Sequence, residues 1–460
     1  MAEIASGRLP AQTHTLSRED RIALGRALRE RVARRRHADW TPGRDRRDPI
    51  EILIEQGHSR LPDLLPIRYA RMKASPFAFL RGAAAIMASD LATTEVSGLA
   101  VQAAGDCHCL NFGGFATPER RLVFDINDFD ETAVAPFEWD LKRLAASVAV
   151  ATLHQFGANA REDLAQSVAR AYRETMAKVS DKPILDEWYR GFTLNDEKEA
   201  QSIGIGGKVL RKAGKALKHA TLLIDLKHTG GAQPVIRDQP PLVYHPQRSR
   251  AAAFRGDVER MFGEYATTLT PERQLLLQRY RLADAAYKVV GIGAVGMMCG
   301  VLLMVSGEGE ALYLQFKEAT QSVLESCAGP SPYKHHGERV VRGQRLIQAA
   351  GDILLGYAKG PTGRHIYVRQ LRDAKIKPAL ETMTARSFRR YAETCGEVLA
   401  RAHARTADAV VLAAYLGKGT VFDRAVGRFA MAYSQQTVRD HTALLEAIKS
   451  RRLPDAAQDS

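Results

Sequence analysis

Two short stretches carry residue types that suit phosphate chemistry. In GDCHCLNF, Asp106 and Asn111 flank His108 on a loop opened by Gly105. In FDINDFDE, Asp128 and Asp130 follow what reads as a β-hairpin over the turn ATPER. Phosphoryl transfer needs a carboxylate near the attacking hydroxyl and oxygen ligands that hold a metal ion against the phosphates. Mg²⁺ prefers hard oxygen donors, such as aspartate carboxylates and asparagine carbonyls, and keeps several waters. An Asp-x₄-Asn loop followed by a hairpin-borne Asp supplies such a set. The plainer alternative is a pair of polar turns whose Asp and Asn bond only their own backbone.

A second pattern lies much further along, at Gly291-x-Gly293-x-x-Gly296. Glycines so spaced also mark dinucleotide-binding turns, where they should open a helix and an acidic residue should follow some way on. Here MMCGVLLMV comes next and reads as a strand. LYLQFK then forms another, ending in Lys317. Strand, glycine turn, strand, strand and lysine is the nucleotide grip of kinases, in which the lysine pairs with the phosphates of ATP and with a carboxylate on a following helix. Glu338 opens such a helix, and Glu325 is the alternative. Without the Asp106 loop, the same residues read as a plain hairpin with a surface lysine.

The elements that must position these groups follow from periodicity and breakers. Residues 1–48 are polar and Arg-rich, with a basic helix ending near Trp40. Residues 50–100 read as helical. SPFAFLRGAAAIMASDLA is apolar all round and should be buried. Arg68, Arg71 and Arg81 lie in or beside it and need partners, either a core carboxylate or a phosphate. Residues 137–275 read as mostly helical, with a Lys-rich stretch from Lys208 to Lys227 and a break at QPPLVYHPQ. Two β-rich runs follow from 285, then a helix from about Glu338 to Gly356, the strand HIYVRQL, and helices over 380–450. The expected class is α+β. The glycine turn and Lys317 follow the aspartate loops, the reverse of the order in ordinary kinases. A circular permutation repairs this, because domain termini lie at the surface and often close together. The expected divisions are a basic extension (1–48), a helical lobe with the catalytic and metal loops (49–280), a β-rich nucleotide lobe (281–375), and C-terminal helices completing the helical lobe (376–460).

The D-x-H-x-x-N and D-F-D motifs resemble the catalytic and metal loops of aminoglycoside phosphotransferases and other small-molecule kinases of the protein-kinase-like fold. That resemblance implies a two-lobed fold binding ATP and Mg²⁺. Asp106 would be the base or hydroxyl-orienting group, with His108 in the place of the loop histidine. Asn111 and Asp128 would hold the metal, with Asp125 or Asp130 as a further ligand. Asp140, in EWDLKRLA, would brace the catalytic loop. One departure is Ala104, where those families carry a histidine. Over most of its length the chain is also similar to the bacterial domain-of-unknown-function family two thousand two hundred fifty-two. PIRYARMKASPFAFLRGAAA, GDCHCLNFGGFATPERRLVFDINDFDE, LQFKEA, HGERVVRGQRLIQAA and LARAHART carry that likeness.

Composition sets the outer limits. With 460 residues, 45% hydrophobic and 26% charged, the chain is globular and large enough for more than one core. Five cysteines do not make a disulfide framework, and the lone pair Cys107 and Cys109 has no second pair at zinc spacing. The N-terminus has no signal-peptide core and no apolar run can span a bilayer, so a cytoplasmic protein is expected. The net charge of +14 suits an anionic partner such as a nucleotide or an anionic substrate. A nucleic-acid partner is disfavoured, since basic and aromatic residues are not clustered. The leading expectation is an ATP- and Mg-dependent phosphotransferase. Transfer of AMP on the same fold, and non-catalytic nucleotide or nucleic-acid binding, are the alternatives.

Overall fold

The computed structural model describes residues 13–455 apart from 195–196, 208–210, 212, 214–225, 228–233, 290 and 372–375. Most of the Lys-rich stretch from Lys208 to Lys227 lies outside the described residues. The class is mixed α+β.

The chain opens with helix α1 (Arg18–Arg31), capped by Ser17, whose hydroxyl accepts from Asp20 N. Four short helices follow: α2 (Pro49–Gly57), α3 (Leu65–Met72), α4 (Pro76–Gly82) and α5 (Ala84–Leu91). Proline at the first turn of α2, α3 and α4 suits positions whose amides have no helical partner. Strand β1 (Ala100–Ala103) pairs with β4 (Ala133–Pro136), and the hairpin β2 (Phe112–Ala116) with β3 (Leu122–Ile126) sits between them in sequence. Helices α6 (Phe137–Ala151) and α7 (Ala158–Ser180) come next. Every residue of α6 from Phe137 to Val150 is buried.

The second half begins with β5 (Val243–Tyr244) and helix α8 (Arg248–Thr267). The longer strands β6 (Tyr280–Lys288), β7 (Cys299–Ser306) and β8 (Ala311–Glu318) follow. Helix α9 (His336–Ile347) leads to β9 (Gly356–Lys359) and β10 (His365–Gln370). The chain ends in α10 (Ala385–Ala404), α11 (Ala409–Leu416) and α12 (Val421–Lys449). The sheet is antiparallel, in the order β9-β10-β8-β7-β6-β5.

Side chains alternate on these strands, so β7 serves two cores. Leu302 and Met304 pack with Phe254, Val258 and Met261 of α8, while Val301, Leu303 and Val305 pack with Ile236, Val243 and Ala286. The sheet therefore recruits residues before 281, where the division between lobes was expected. The helix expected to reach Gly356 stops at Ile347, and Gly356 instead starts β9. There a Cβ would stand 2.6 Å from Thr268 Oγ1 and 2.8 Å from the Tyr265 ring.

A larger core joins α6, α7, α10, α11 and α12 to β1–β4. The basic N-terminal segment docks onto it. A Cβ at Gly25 would fall 2.2 Å from Val411 O, so α1 lies against α11. Arg29 Nε donates to Tyr415 O at 2.8 Å and Arg34 Nη1 to Leu416 O at 2.7 Å, satisfying the end carbonyls of α11. These arginines are thus engaged within the chain. Among the described residues no helix is long and apolar enough to cross a membrane.

Candidate active site

Asp106 sits on the turn between β1 and β2. Gly105 makes that turn possible. Its φ is +87°, and a Cβ there would lie 2.1 Å from Glu131 O. The turn is held from below by Asp140 on α6, whose carboxylate accepts from Ala104 N at 2.6 Å and Gly105 N at 2.9 Å. Asp140 is steadied in turn by His403 of α10, with Nε2 to Oδ2 at 3.3 Å and His403 Nδ1 to the Tyr172 hydroxyl at 2.9 Å. The hydrogen bonds expected from Asp140 to the loop are present, and His403 of a distant helix steadies the Asp140 side chain.

Arg143, three residues after Asp140, shares its helix face. Its guanidinium donates to Asp106 Oδ1 through Nε at 2.9 Å and again through Nη2. Burial nevertheless pushes the Asp106 carboxyl up to about 6, against the pull of Arg143. Its side chain keeps 19% exposure, all that a group facing a cleft needs. His108 accepts from Leu110 N at 3.2 Å through Nδ1 and is held neutral by burial and by the charges of Arg81 and Arg143. Its Nε2 stands 3.7 Å from Asp106 Oδ2, beyond hydrogen-bond reach. Asn111 donates its amide to Asp106 O at 2.7 Å, which leaves the side-chain oxygen as its metal-competent atom.

Lys317 lies near the end of β8, on the same face as Tyr313 and Gln315. It forms an ion pair with Asp130 and stands 3.7 Å from Asp128 Oδ1. Tyr367, directly across the ladder from Lys317, donates to Asp130 Oδ1 at 2.7 Å. The carboxylate neighbours of Lys317 are therefore the hairpin aspartates. Glu338, expected in that place, pairs instead with Arg342 at 3.4 Å on its own helix. The inward position of α9 belongs to Arg339, which is 2% exposed and donates to the carbonyls of Asp130 (2.8 Å), Thr132 (2.5 Å) and Thr320 (2.8 Å). Glu325, the other expected partner, stands 3.3 Å from Arg339 Nε.

One cleft joins these parts. It is lined by Asp106, His108, Asn111, Asp128, Asp130 and Lys317, together with Gly291, Gly293, Arg60 and Arg81. Gly296 is buried behind that turn at φ +93°, and its carbonyl accepts from Leu61 N at 2.7 Å. Asp125 lies on β3 outside the lining. Arg143, Glu131, Tyr367 and Arg60 were not singled out by sequence. For Arg143 the spacing from Asp140 was a usable signal, and for Tyr367 the alternation along HIYVRQL was another. Glu131 is a cleft carboxyl that burial pushes up to about 7.

Among the described residues no three His, Cys, Asp or Glu side chains converge as a closed metal cage. Mg²⁺ does not require one, since it is commonly held by one or two carboxylates together with substrate phosphates. The donor set of Asp128, Asp130 and the Asn111 oxygen fits that manner of binding.

A family model described as an uncharacterized protein conserved in bacteria (DUF2252) matches residues 60–447, which include every cleft residue except Gln56. No curated protein and no solved structure matches the chain. The chain therefore belongs to this bacterial family.

Proposed function

We propose that the protein is an ATP- and Mg²⁺-dependent phosphotransferase of permuted kinase-like architecture. The observation that carries this reading is the meeting of Lys317 with Asp130 and Asp128 in the cleft that also holds Asp106 and Asn111. A glycine turn between two antiparallel strands, a lysine on the third strand and a helix before the fourth make up the nucleotide side of kinases. The segments from β6 to β10 run in that order. The aspartate loops precede them in the chain and stand beside them in space.

In this reading Lys317 and the amides of the glycine turn hold the nucleotide phosphates. Asp128, Asp130 and Asn111 hold the metal, which when bound supplies charge neutralisation to the phosphates. Asp106 accepts the proton of an acceptor hydroxyl as its oxygen bonds to the γ-phosphorus and the bond to the ADP oxygen breaks. A carboxyl near 6 is ionised at neutral pH and still basic enough to take that proton. Most of the rate enhancement in this class comes from positioning and charge.

The test compares wild type with Asp106→Ala and Asp128→Ala in thermal-shift and ATP-turnover assays with and without Mg²⁺. Mg·ATP should stabilise wild type and Asp106→Ala, and only wild type should turn it over. Normal Mg·ATP binding by Asp128→Ala would remove the metal role from that residue. No response of wild type to any Mg·nucleotide would end the proposal. Product mass, with an increment of one phosphate rather than one AMP, separates phosphoryl from nucleotidyl transfer.

A further inference from the structure

The charges of the cleft are not evenly matched. Asp106 is paired by Arg143, and Asp130 and Asp128 by Lys317. Arg60 and Arg81 also line this cleft. Arg60 Nη1 donates to Val295 O at 2.5 Å, and Arg81 Nε is buried without a hydrogen-bond partner. Behind them lies Arg68, which is 0% exposed. Its Nη2 donates to Gln56 Oε1 at 3.1 Å and to Gly82 O at 3.0 Å, two residues of the cleft wall. Its Nε and Nη1 have no hydrogen-bond partner, and the guanidinium lies 5.7 Å from the centre of the Tyr69 ring. Among the described residues no carboxylate forms an ion pair with Arg60, Arg68 or Arg81.

A fully buried guanidinium with no counter-charge is expensive to maintain. Burial accordingly lowers the Arg68 pKa to about 9. Arg68 and Arg81 hold buried guanidinium nitrogens without hydrogen-bond partners beside the cleft, while Arg60 also feels the carboxylates of Glu131, Asp130 and Glu318. Such forks suit a tetrahedral or planar oxyanion, since arginine presents several donors in a fixed geometry. Arg81 also lies close enough to Asp106 and His108 for its charge to act on both. An anion held by Arg81 would sit near the base, with Arg60 joining it from the glycine turn, where its Nη1 bonds Val295 O.

We propose that Arg60 and Arg81, backed by Arg68, form an anion subsite for the acceptor substrate, which carries a phosphate or a similar oxyanion near the hydroxyl that Asp106 deprotonates. The inference rests on the phosphotransferase reading and adds the acceptor's chemical class. The same guanidiniums could in chemical terms serve the nucleotide's own terminal phosphate, and the experiment separates the two sources.

The full-length protein is titrated with inorganic phosphate by calorimetry, alone and with saturating Mg²⁺ and a non-hydrolysable ATP analogue. Wild type should bind phosphate with the nucleotide already in place. Arg81→Gln should weaken phosphate binding by about tenfold or more, the effect of losing a charge-assisted hydrogen bond, and leave affinity for the nucleotide analogue within about twofold. Arg81→Lys should recover part of the loss. Displacement of phosphate by the nucleotide analogue, or equal weakening of both ligands in Arg81→Gln, would assign the arginines to the nucleotide and overturn the acceptor subsite. So would a nucleotide-loaded wild type that takes up no phosphate, although the nucleotide reading would then survive. A wild type deaf to the nucleotide analogue overturns both. Should Arg81→Gln not fold, the wild-type competition arm and Arg60→Gln decide the question.

Discussion

Lys317 and Asp130 lie 187 positions apart in the chain and form a buried ion pair in the cleft, with Tyr367 bonded to the other carboxylate oxygen at 2.7 Å. The lysine side chain is 4% exposed and Asp130 17%. Nearby carboxylates hold the Lys317 pKa well above its usual value despite burial.

Breaking this pair from one side should be costly. Lys317→Met leaves Asp128 and Asp130 facing each other without a cation, and a loss of about 3 kcal/mol is expected at neutral pH. Lys317→Met with Asp130→Asn should recover much of it. Urea denaturation of both variants measures this, and equal stability of Lys317→Met and wild type would show that the pair does not hold the sheet to the aspartate hairpin.

The Asp106 carboxyl sets a pH limb. If Asp106 is the base of the proposed transfer, its ionised form is the active one, so kcat/KM should rise with pH through about 6 and level off above it. Arg143→Gln withdraws the cation that lowers this pKa, so the limb should move upward. The stability effect has the opposite sense. The folded pKa lies above the ordinary 3.8, so the contribution of protonated Asp106 to folding is present below about 4 and lost as pH climbs through 6. A pH–rate profile of the two proteins checks the direction, and an unmoved limb would show that another group titrates there.

Gly105→Ala should be poorly tolerated. It places a side chain at φ +87° with its Cβ 2.1 Å from Glu131 O. Backbone strain of this kind is worth about 1–3 kcal/mol, and relief would have to displace the loop that carries Asp106. Thermal melting together with Mg·ATP turnover tests both consequences. Retention of full turnover would mean that the loop can relax.

Asp140→Asn should separate bracing from folding. The isosteric amide keeps one acceptor for the amides of Ala104 and Gly105 and loses the charge that His403 meets. A loss of turnover at least tenfold larger than any loss of nucleotide affinity is expected, because the substitution moves the base rather than the nucleotide side. Equal loss of both would point to general unfolding.

Glu325 and Glu338 should behave differently. Glu338→Gln breaks a partly exposed pair with Arg342, of the kind worth about 0.5 kcal/mol, and should leave nucleotide affinity unchanged. Glu325→Gln removes the carboxylate beside buried Arg339 and should destabilise by about 3 kcal/mol, with slackening of the Asp130 loop that Arg339 holds. A larger effect on nucleotide binding from Glu338→Gln than from Glu325→Gln would restore Glu338 to the partner position that α9 does not give it.

What the sequence determined by itself is local. Alternation and a turn placed the hairpin of β2 and β3, and apolar periodicity placed α10 and α12. The types Asp, Asn and Lys marked Asp106, Asn111, Asp128 and Lys317, because these preferences act over a few residues. The tertiary structure alone decided who faces whom. It set Asp130 rather than Glu338 against Lys317, and brought His403 to the Asp140 that braces the Asp106 loop. It also left the buried Nε of Arg68 and Arg81 without hydrogen-bond partners and turned the basic N-terminal helix onto α11. Several of these pairings join residues far apart in the chain, such as Lys317 with Asp130 across 187 positions, and their energies depend on burial and on the angle at which packed elements meet. No short window of sequence records either.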